Sequence, residues 1–441
     1  MDRLYAFAAL ISSILVLMGL GLPVAFAFFA TNIMGMLLVF GVGRFDRGVT
    51  QMVANFSEAI TTYALAPLPM FLVMGSLFFR SGLGDRVIHA LDLAIGNLRG
   101  RLSYVTLGSG AVFAALSGSS LANAGMMGSM MAPEMLKRNY KPHMAFGPIL
   151  GAGSLAVIIP PSTLGVLLGS LAQIDVGALL IAGLLPGLVL VLMFGGLIWV
   201  QTAIDPDAAP QYAVPTSSGW AKVTAVAANI LPMGFLIFCV VGTIIMGIAT
   251  PTESAGLGCM GVIALLLVYR KFRWSVIWRS LDDAMKVTGM TFLIITASTT
   301  FSQIFAFSGA STGFIGKVTG FDLGPYGVLV MMICVVLVLG MFMDQVSMML
   351  ITIPLFMPIA KTFGFDPVWF GLILLLAYEI GFTTPPFGML LYVALGSAPK
   401  GTSLRTMALS AAPYVVLTLL LIAIIVAFPP LALWLPSLMG R

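Results

Sequence analysis

Residues Ser117–Pro142 read SGSSLANAGMMGSMMAPEMLKRNYKP, and residues Phe342–Pro367 read FMDQVSMMLITIPLFMPIAKTFGFDP. After an apolar run, each is followed by a Pro-Pro break: IIPPST at Ile158–Thr163 and TTPPFG at Thr383–Gly388. Pro133, Pro142, Pro160 and Pro161 pair with Pro358, Pro367, Pro385 and Pro386, and every pair is 225 residues apart (358 − 133, 367 − 142, 385 − 160, 386 − 161). No gap falls between these landmarks. An internal repeat of this kind decides the architecture before any single element does. Each copy joins a polar kink inside apolar sequence to a helix break one span later, the pattern expected of a midplane binding site built from discontinuous helices. The sequence reads as a secondary transporter.

Composition excludes a soluble domain. Apolar residues make up 60% of the 441, charged residues 8%, and mean hydropathy is +1.08. Several runs approach or exceed the roughly 20 apolar residues that cross a bilayer. The run Leu4–Leu20 has only Arg3 as a basic flank and no small-residue cleavage pattern, so it reads as a retained span. Cys239, Cys259 and Cys334 stand singly, with neither a disulfide framework nor metal-ligand spacing. His89 and His143 lie among basic residues outside the spans, which argues against histidine catalysis. The net charge of +5 comes from loops beside spans and does not point to nucleic acid.

The pattern predicts an all-α integral membrane protein of two inverted repeats, each about five spans plus one re-entrant hairpin. Repeat one covers 1–202, with a hairpin at 102–136 and a broken helix at 143–169. A linker at 203–222, rich in Asp and Pro, joins it to repeat two at 223–441, with a hairpin at 325–363 and a broken helix at 368–398. The spans of the first half are Leu4–Leu20, Pro23–Phe40, Tyr63–Phe79, the broken segment, and Gly177–Gln201. Gly43–Thr62 reads as a polar loop. Gly84–Leu98 and Lys271–Lys286 read as amphipathic helices lying at the interface. In the second half the spans are Val223–Met246, Ala255–Tyr269, Val287–Phe307, the broken segment, and Leu409–Phe428. An odd number of crossings per half inverts the second copy.

Charge supports that topology. Fifteen of the twenty-one Lys and Arg residues fall on one side; Arg3, Arg44, Arg47, Lys317, Lys361 and Arg441 fall on the other. The richer side is cytoplasmic. A hairpin at 102–136 also keeps Arg101, Lys137, Arg138 and Lys141 on one face, where a single crossing would split them. Irregular backbone at membrane depth survives only when buried in protein or facing a cavity, so the hairpin tips should point inward.

The candidate site is therefore the two tips and the two breaks. Half-helix N-termini suit a carboxylate, and half-helix C-termini and freed carbonyls suit a cation. The first tip offers Ser117, Gly118, Ser119, Ser120 and Asn123, facing Ile159, Pro160, Pro161 and Thr163. The second offers Met343, Asp344, Gln345 and Ser347, facing Gly381, Thr383, Thr384, Pro385 and Gly388. Small polar residues in apolar segments also serve as packing residues between helices, and Ser119 is open to that reading. Asp344 reads as a functional intramembrane carboxylate or as the cap of a half-helix. Glu379, four residues before Thr383, reads as a support for the break. Glu253, just after Pro251, reads as a helix-start cap.

Taken together, GLPVAFAF at Gly21–Phe28, SGSSLANA at Ser117–Ala124, GPILGAGSLAVIIPPST at Gly147–Thr163, GIATPTESAGLG at Gly247–Gly258, MDQVSMMLITIPLFMPI at Met343–Ile359 and GFTTPPFGMLLY at Gly381–Tyr392 resemble one family. It is the large membrane subunit of the tripartite ATP-independent periplasmic (TRAP) transporters, within the ion transporter superfamily, and the resemblance runs over essentially the whole chain. It implies an elevator-type, sodium-coupled importer of small organic acids in the bacterial inner membrane, with Na+ held at the tips and breaks. It also implies a periplasmic substrate-binding protein and a small membrane subunit. No small-subunit segment precedes Met1, so that subunit is expected as a separate chain. Neither an organic cofactor nor a transition metal is called for. A stand-alone dicarboxylate symporter of the same superfamily stays open as a rival, as does an intramembrane enzyme. The lack of a His/Glu metal motif or nucleophile–base pair weighs against the enzyme, and the lack of a GxxxxGK[ST] loop weighs against ATP-driven pumping.

Cysteine accessibility labelling tests the topology. Arg138→Cys and Lys400→Cys should label from the cytoplasm and Lys317→Cys from outside. Labelling of Arg101→Cys and Lys137→Cys from opposite faces would refute the hairpin.

Overall fold

A computed structural model describes residues 3–41, 45–211, 219–309, 316 and 323–439, and the described residues are helical with no strand. Six of the helices are long and apolar enough to cross a membrane, and further apolar helices are shorter. With the composition, this defines a multi-pass integral membrane protein.

Both kinked stretches form two helices joined by a short tip. Arg101–Ser117 ends at Gly118 and is followed by Ser120–Lys137. Gly324–Gly340 runs into Met341–Asp344 and then Gln345–Thr362. Both Pro-Pro stretches interrupt a helix. Pro142–Ser154 tightens into a 3-10 turn at Leu155–Val157, and the chain becomes helical again at Thr163–Ala172. Pro367–Phe382 stops before Pro385 and Pro386, and Met389–Gly396 continues beyond. The reasons are local. Proline lacks an N–H for the helical ladder and crowds the preceding turn, and Ser and Gly at the breaks supply caps and tight backbone.

These four units pack together. Ser120–Lys137 lies along Pro142–Ser154, which also meets Arg101–Ser117 and Leu404–Ala427, while Pro367–Phe382 contacts Gly324–Gly340 and Gln345–Thr362. A second set of contacts joins Trp274–Phe307 to Val24–Phe40, Phe45–Thr61 and Pro67–Arg80, and Pro67–Arg80 to Pro251–Val268.

Two expectations are corrected. Gly43–Thr62 is mostly helix, Phe45–Thr61, not a polar loop. Its Gln51, Asn55 and Glu58 recur at helical spacing, and Asn55 is buried against Trp274–Phe307, donating to Thr300 Oγ1 at 3.2 Å and Gln303 Oε1 at 2.8 Å. Lys271–Lys286 and Val287–Phe307 are not separate elements: one 34-residue helix, Trp274–Phe307, covers most of both; it contains no proline, and its one glycine, Gly289, does not interrupt it. The span expected at Gly177–Gln201 is present as the apolar stretch Val176–Ile204, with a one-residue turn at Gly183 between Val176–Ala182 and Leu184–Ile204, where an added Cβ would meet Ile158 O at 2.1 Å.

Part of the joint between the halves belongs to the first. Ala208 and Ala209 are buried, Lys141 N donates to Ala208 O, and Lys141 Nζ meets Asp205 at 2.5 Å. That lysine, mainly through its hydrogen bond, holds the Asp205 carboxyl below its usual range. Arg44, Lys317 and Arg441, used in the charge count, and most of the stretch after Gly309, lie outside the described residues.

Candidate functional site

At the first tip, Gly118 adopts a left-handed conformation (φ 59°), and its carbonyl accepts from Thr163 N at 3.2 Å and Thr163 Oγ1 at 2.7 Å. The tip of one element is thus fastened to the break of the next. A Cβ on Gly118 would lie 2.4 Å from Pro161 O, so both the backbone angle and the space call for glycine. Ser119 is the N-cap of Ser120–Lys137: its side chain accepts from Ala122 N at 3.4 Å. Ser117 Oγ lies 3.4 Å from Ser119 N as acceptor. Asn123 is fully buried and donates to Gly110 O at 2.9 Å and Ala152 O at 2.6 Å, pinning the hairpin to Pro142–Ser154. Ile159, Pro160 and Pro161 are buried, and the Pro160–Pro161 bond is cis. Ser162, absent from the expected set, caps Thr163–Ala172 by accepting from Gly165 N at 3.0 Å. Its place just before an apolar helix was the available signal.

The second tip meets its own break by a similar bond, Phe387 N to Met341 O at 3.2 Å. Gly381 lies so close to Gly340 that a Cβ on Gly340 would stand 2.4 Å from Gly381 Cα. Asp344 caps Gln345–Thr362, accepting from Val346 N at 3.1 Å and Ser347 N at 3.3 Å and from the Ser347 hydroxyl. The cap reading of Asp344 therefore describes its hydrogen bonds. Thr383 and Thr384 donate their hydroxyls to Glu379 O and Ile380 O of their own helix, which leaves the hydroxyl oxygens able to accept. Gly388 N donates to Thr384 O, and the Pro385–Pro386 bond is cis. Met343 is half-buried, as is Asp344.

The two sites differ in access. Gly118 and Ile159–Thr163 are buried, whereas Pro385, Pro386 and Phe387 are exposed, with Phe387 against exposed Phe342 at 6.3 Å between ring centroids. The breaks have the same chemistry but only the second lies open at the surface.

Glu379 brings the two tips together, a role the sequence did not reveal. It is 1% exposed, and its Oε2 accepts from Ser120 Oγ at 2.8 Å and Gln345 Nε2 at 2.5 Å. Ser120 begins the helix after the first tip, and Gln345 begins the helix after the second. The sequence marks a carboxyl in an apolar run but gives no sign of partners 259 and 34 residues away.

A cavity of about 360 Å³ opens between Gln345–Thr362, Phe45–Thr61 and Trp274–Phe307. Asn55, Glu58, Gln173, Ser298 and Gln303 give it polar walls beside Met349, Ile353 and Pro358. That size and mixture suit a small polar solute. Among the described residues no group of three or more His, Cys, Asp and Glu side chains could hold a metal ion.

Broken helices meeting hairpin tips within a multi-pass helical protein define a membrane transporter permease. Residues 11–431 match the family described as "Tripartite ATP-independent periplasmic transporter, DctM component", and the chain belongs to that family. It is 31% identical over 396 residues to the C4-dicarboxylate TRAP transporter large permease protein DctM of Pseudomonas aeruginosa, covering 89% of this chain and 90% of that one. It is 29% identical over 438 residues to the ectoine/5-hydroxyectoine TRAP transporter large permease protein UehC of Ruegeria pomeroyi, covering 98% and 99%. Among solved structures, the YdaH transporter of Alcanivorax borkumensis shares the fold, with a TM-score of 0.58 at 14% identity and 90% of each chain covered. The relatives are permeases, and this chain is not an enzyme.

Gly118→Ala should lower stability by about 1–2 kcal/mol from the left-handed backbone alone, with a further cost from the clash with Pro161. Thermal unfolding of the purified protein measures it; an unchanged midpoint would show that the tip does not need this fastening.

Proposed function

We propose that this permease imports a small organic acid by coupling its movement to Na+, taking the solute from a periplasmic binding protein and working beside a small membrane subunit in the bacterial inner membrane. The observation that carries the reading is the bonding of each hairpin tip to a helix break, Gly118 to Thr163 and Met341 to Phe387. Such a junction gathers the N-termini of Ser120–Lys137 and Gln345–Thr362, favourable to a carboxylate, beside backbone oxygens released from helical ladders, favourable to Na+. The expected cation ligands are Ser117–Asn123 with Ile159–Thr163, and Met343–Ser347 with Gly381–Gly388.

The contact pattern supports movement of one group of helices against another. The hairpins and broken helices form one group, and Trp274–Phe307 with Val24–Phe40, Phe45–Thr61 and Pro67–Arg80 forms the second. The polar cavity lies between them. In an elevator the first group carries solute and ion across while the second stays against the lipid. Repeats of opposite orientation supply the symmetry such a cycle needs, since each half can present its break to one side. Dicarboxylates and ectoines, the solutes in the names of the relatives, are the first to try.

Reconstitution into proteoliposomes tests this. Uptake should require an inward Na+ gradient, the binding protein and the small subunit together, and Ser119→Ala or Asp344→Ala should weaken it with protein levels unchanged. Robust uptake by the large subunit alone, or a Na+ requirement untouched by both substitutions, would overturn the proposal.

A further inference from the structure

The polar walls of the cavity of about 360 Å³ come mainly from two helices, and their residues recur at helical spacing. Ser298, Thr299, Ser302 and Gln303 form one stripe of Trp274–Phe307, and Asn55 and Glu58 stand one turn apart on Phe45–Thr61. The facing helix, Gln345–Thr362, contributes Met349, Ile353 and Met357, a wall for the carbon frame of a solute.

A chain of amides sets the polar side. Gln51 Nε2 donates to Asn55 Oδ1 at 3.1 Å, and Asn55 Nδ2 donates to Thr300 Oγ1 at 3.2 Å and Gln303 Oε1 at 2.8 Å. With its Oε1 taken, Gln303 has its Nε2 to offer a solute, and that group only donates. The Ser298 and Ser302 hydroxyls beside it can also donate. This wall suits a carboxylate. The same bonds hold Phe45–Thr61 against Trp274–Phe307 and so keep Glu58 beside the stripe.

Glu58 is the one ionisable residue in the lining, where no lysine, arginine or histidine accompanies it. Lys361 stands a turn beyond Pro358, outside the lining. Among the described residues no ion pair includes Glu58, and the Thr61 and Thr62 hydroxyls bond to its backbone carbonyl rather than its carboxylate. The side chain is exposed, so a solute can meet it. A cleft lined by charge of one sign concentrates the opposite sign and repels its own. A dicarboxylate would bring two negative charges to a third, with no cation in the wall to answer them. A zwitterion brings a cationic nitrogen for Glu58 and a carboxylate for the Gln303 amide and the serine hydroxyls.

We propose that Glu58 is a specificity-determining residue, and that the cavity takes a small zwitterion, with one carboxylate and one N–H cationic nitrogen, in preference to a dicarboxylate. This narrows the organic acid of the proposed function and rests on that reading for the solute's being cargo. Of the solutes in the relatives' names, ectoine has this chemistry and the dicarboxylates do not.

Thiol labelling reads the charge preference without transport. Ser302 is half-buried, and Ser302→Cys is placed in the full-length chain with Cys239, Cys259 and Cys334 replaced by serine. It is then modified by a cationic or an anionic methanethiosulfonate, MTSET or MTSES. Relative to a free thiol in solution, the cationic reagent should be favoured about tenfold. Glu58→Gln should abolish that preference and Glu58→Asp should retain it, which a merely structural role would not produce. Ectoine or 4-aminobutyrate should slow the labelling; glutarate, which carries a carboxylate where 4-aminobutyrate carries an ammonium, should not. Thr299→Cys is the second reporter should Ser302→Cys not fold. No cationic preference, a preference untouched by Glu58→Gln, protection by glutarate, or protection by neither zwitterion would overturn the inference. Sodium-driven uptake of glutarate by the complete transporter would also overturn it and leave the proposed function standing. Cationic preference and zwitterion protection, with uptake indifferent to Na+, would do the reverse.

Discussion

A helix broken inside an apolar layer frees backbone groups that no solvent can satisfy, and the core of this protein is arranged to satisfy them. The Gly118 carbonyl takes both hydrogen bonds that Thr163 can donate, and the Met341 carbonyl takes one from Phe387. Unsatisfied, such groups would cost several kcal/mol each in hydrocarbon. The breaks are therefore confined to places where a hairpin tip can reach them. Glycine at position 118, and the near contact of Gly340 with Gly381, follow from that closeness.

The same constraint ties the halves together. Each tip begins a new helix, and the residues that begin them, Ser120 and Gln345, both donate to Glu379. The first residues of both helices are thereby anchored on a single carboxylate. Asn123 acts similarly within the first half, holding Arg101–Ser117 and Pro142–Ser154 through Gly110 O and Ala152 O. The outcome is a polar seam inside a largely apolar group of helices.

Much of this could be read from the sequence because Pro, Gly and Ser punctuate apolar runs so sharply. The tips at Gly118 and Asp344 and the breaks at Pro160 and Pro385 fall where those residues put them. Two failures have different causes. Phe45–Thr61 has the polar composition of a loop, yet Gln51, Asn55 and Glu58 stand at helical spacing, and period decides over polarity. The division at Lys286 mistakes a change of surroundings for the end of a helix: charge falls there, but no proline does, and the helix runs on through Gly289. Glu379 is a third kind of case. Its burial and partners depend on tertiary contacts from both hairpins, and no local pattern encodes those.

The central claim, that the two hairpins are clasped on one carboxylate, is tested most directly by a double-mutant cycle on unfolding stability with Ser120→Ala and Gln345→Ala. Residues bonded to a shared group couple by about 0.5–3 kcal/mol, whereas independent sites add to within about 0.3–0.5 kcal/mol. The account predicts coupling in the first range. Additive losses would contradict it and leave the two tips as separate structures.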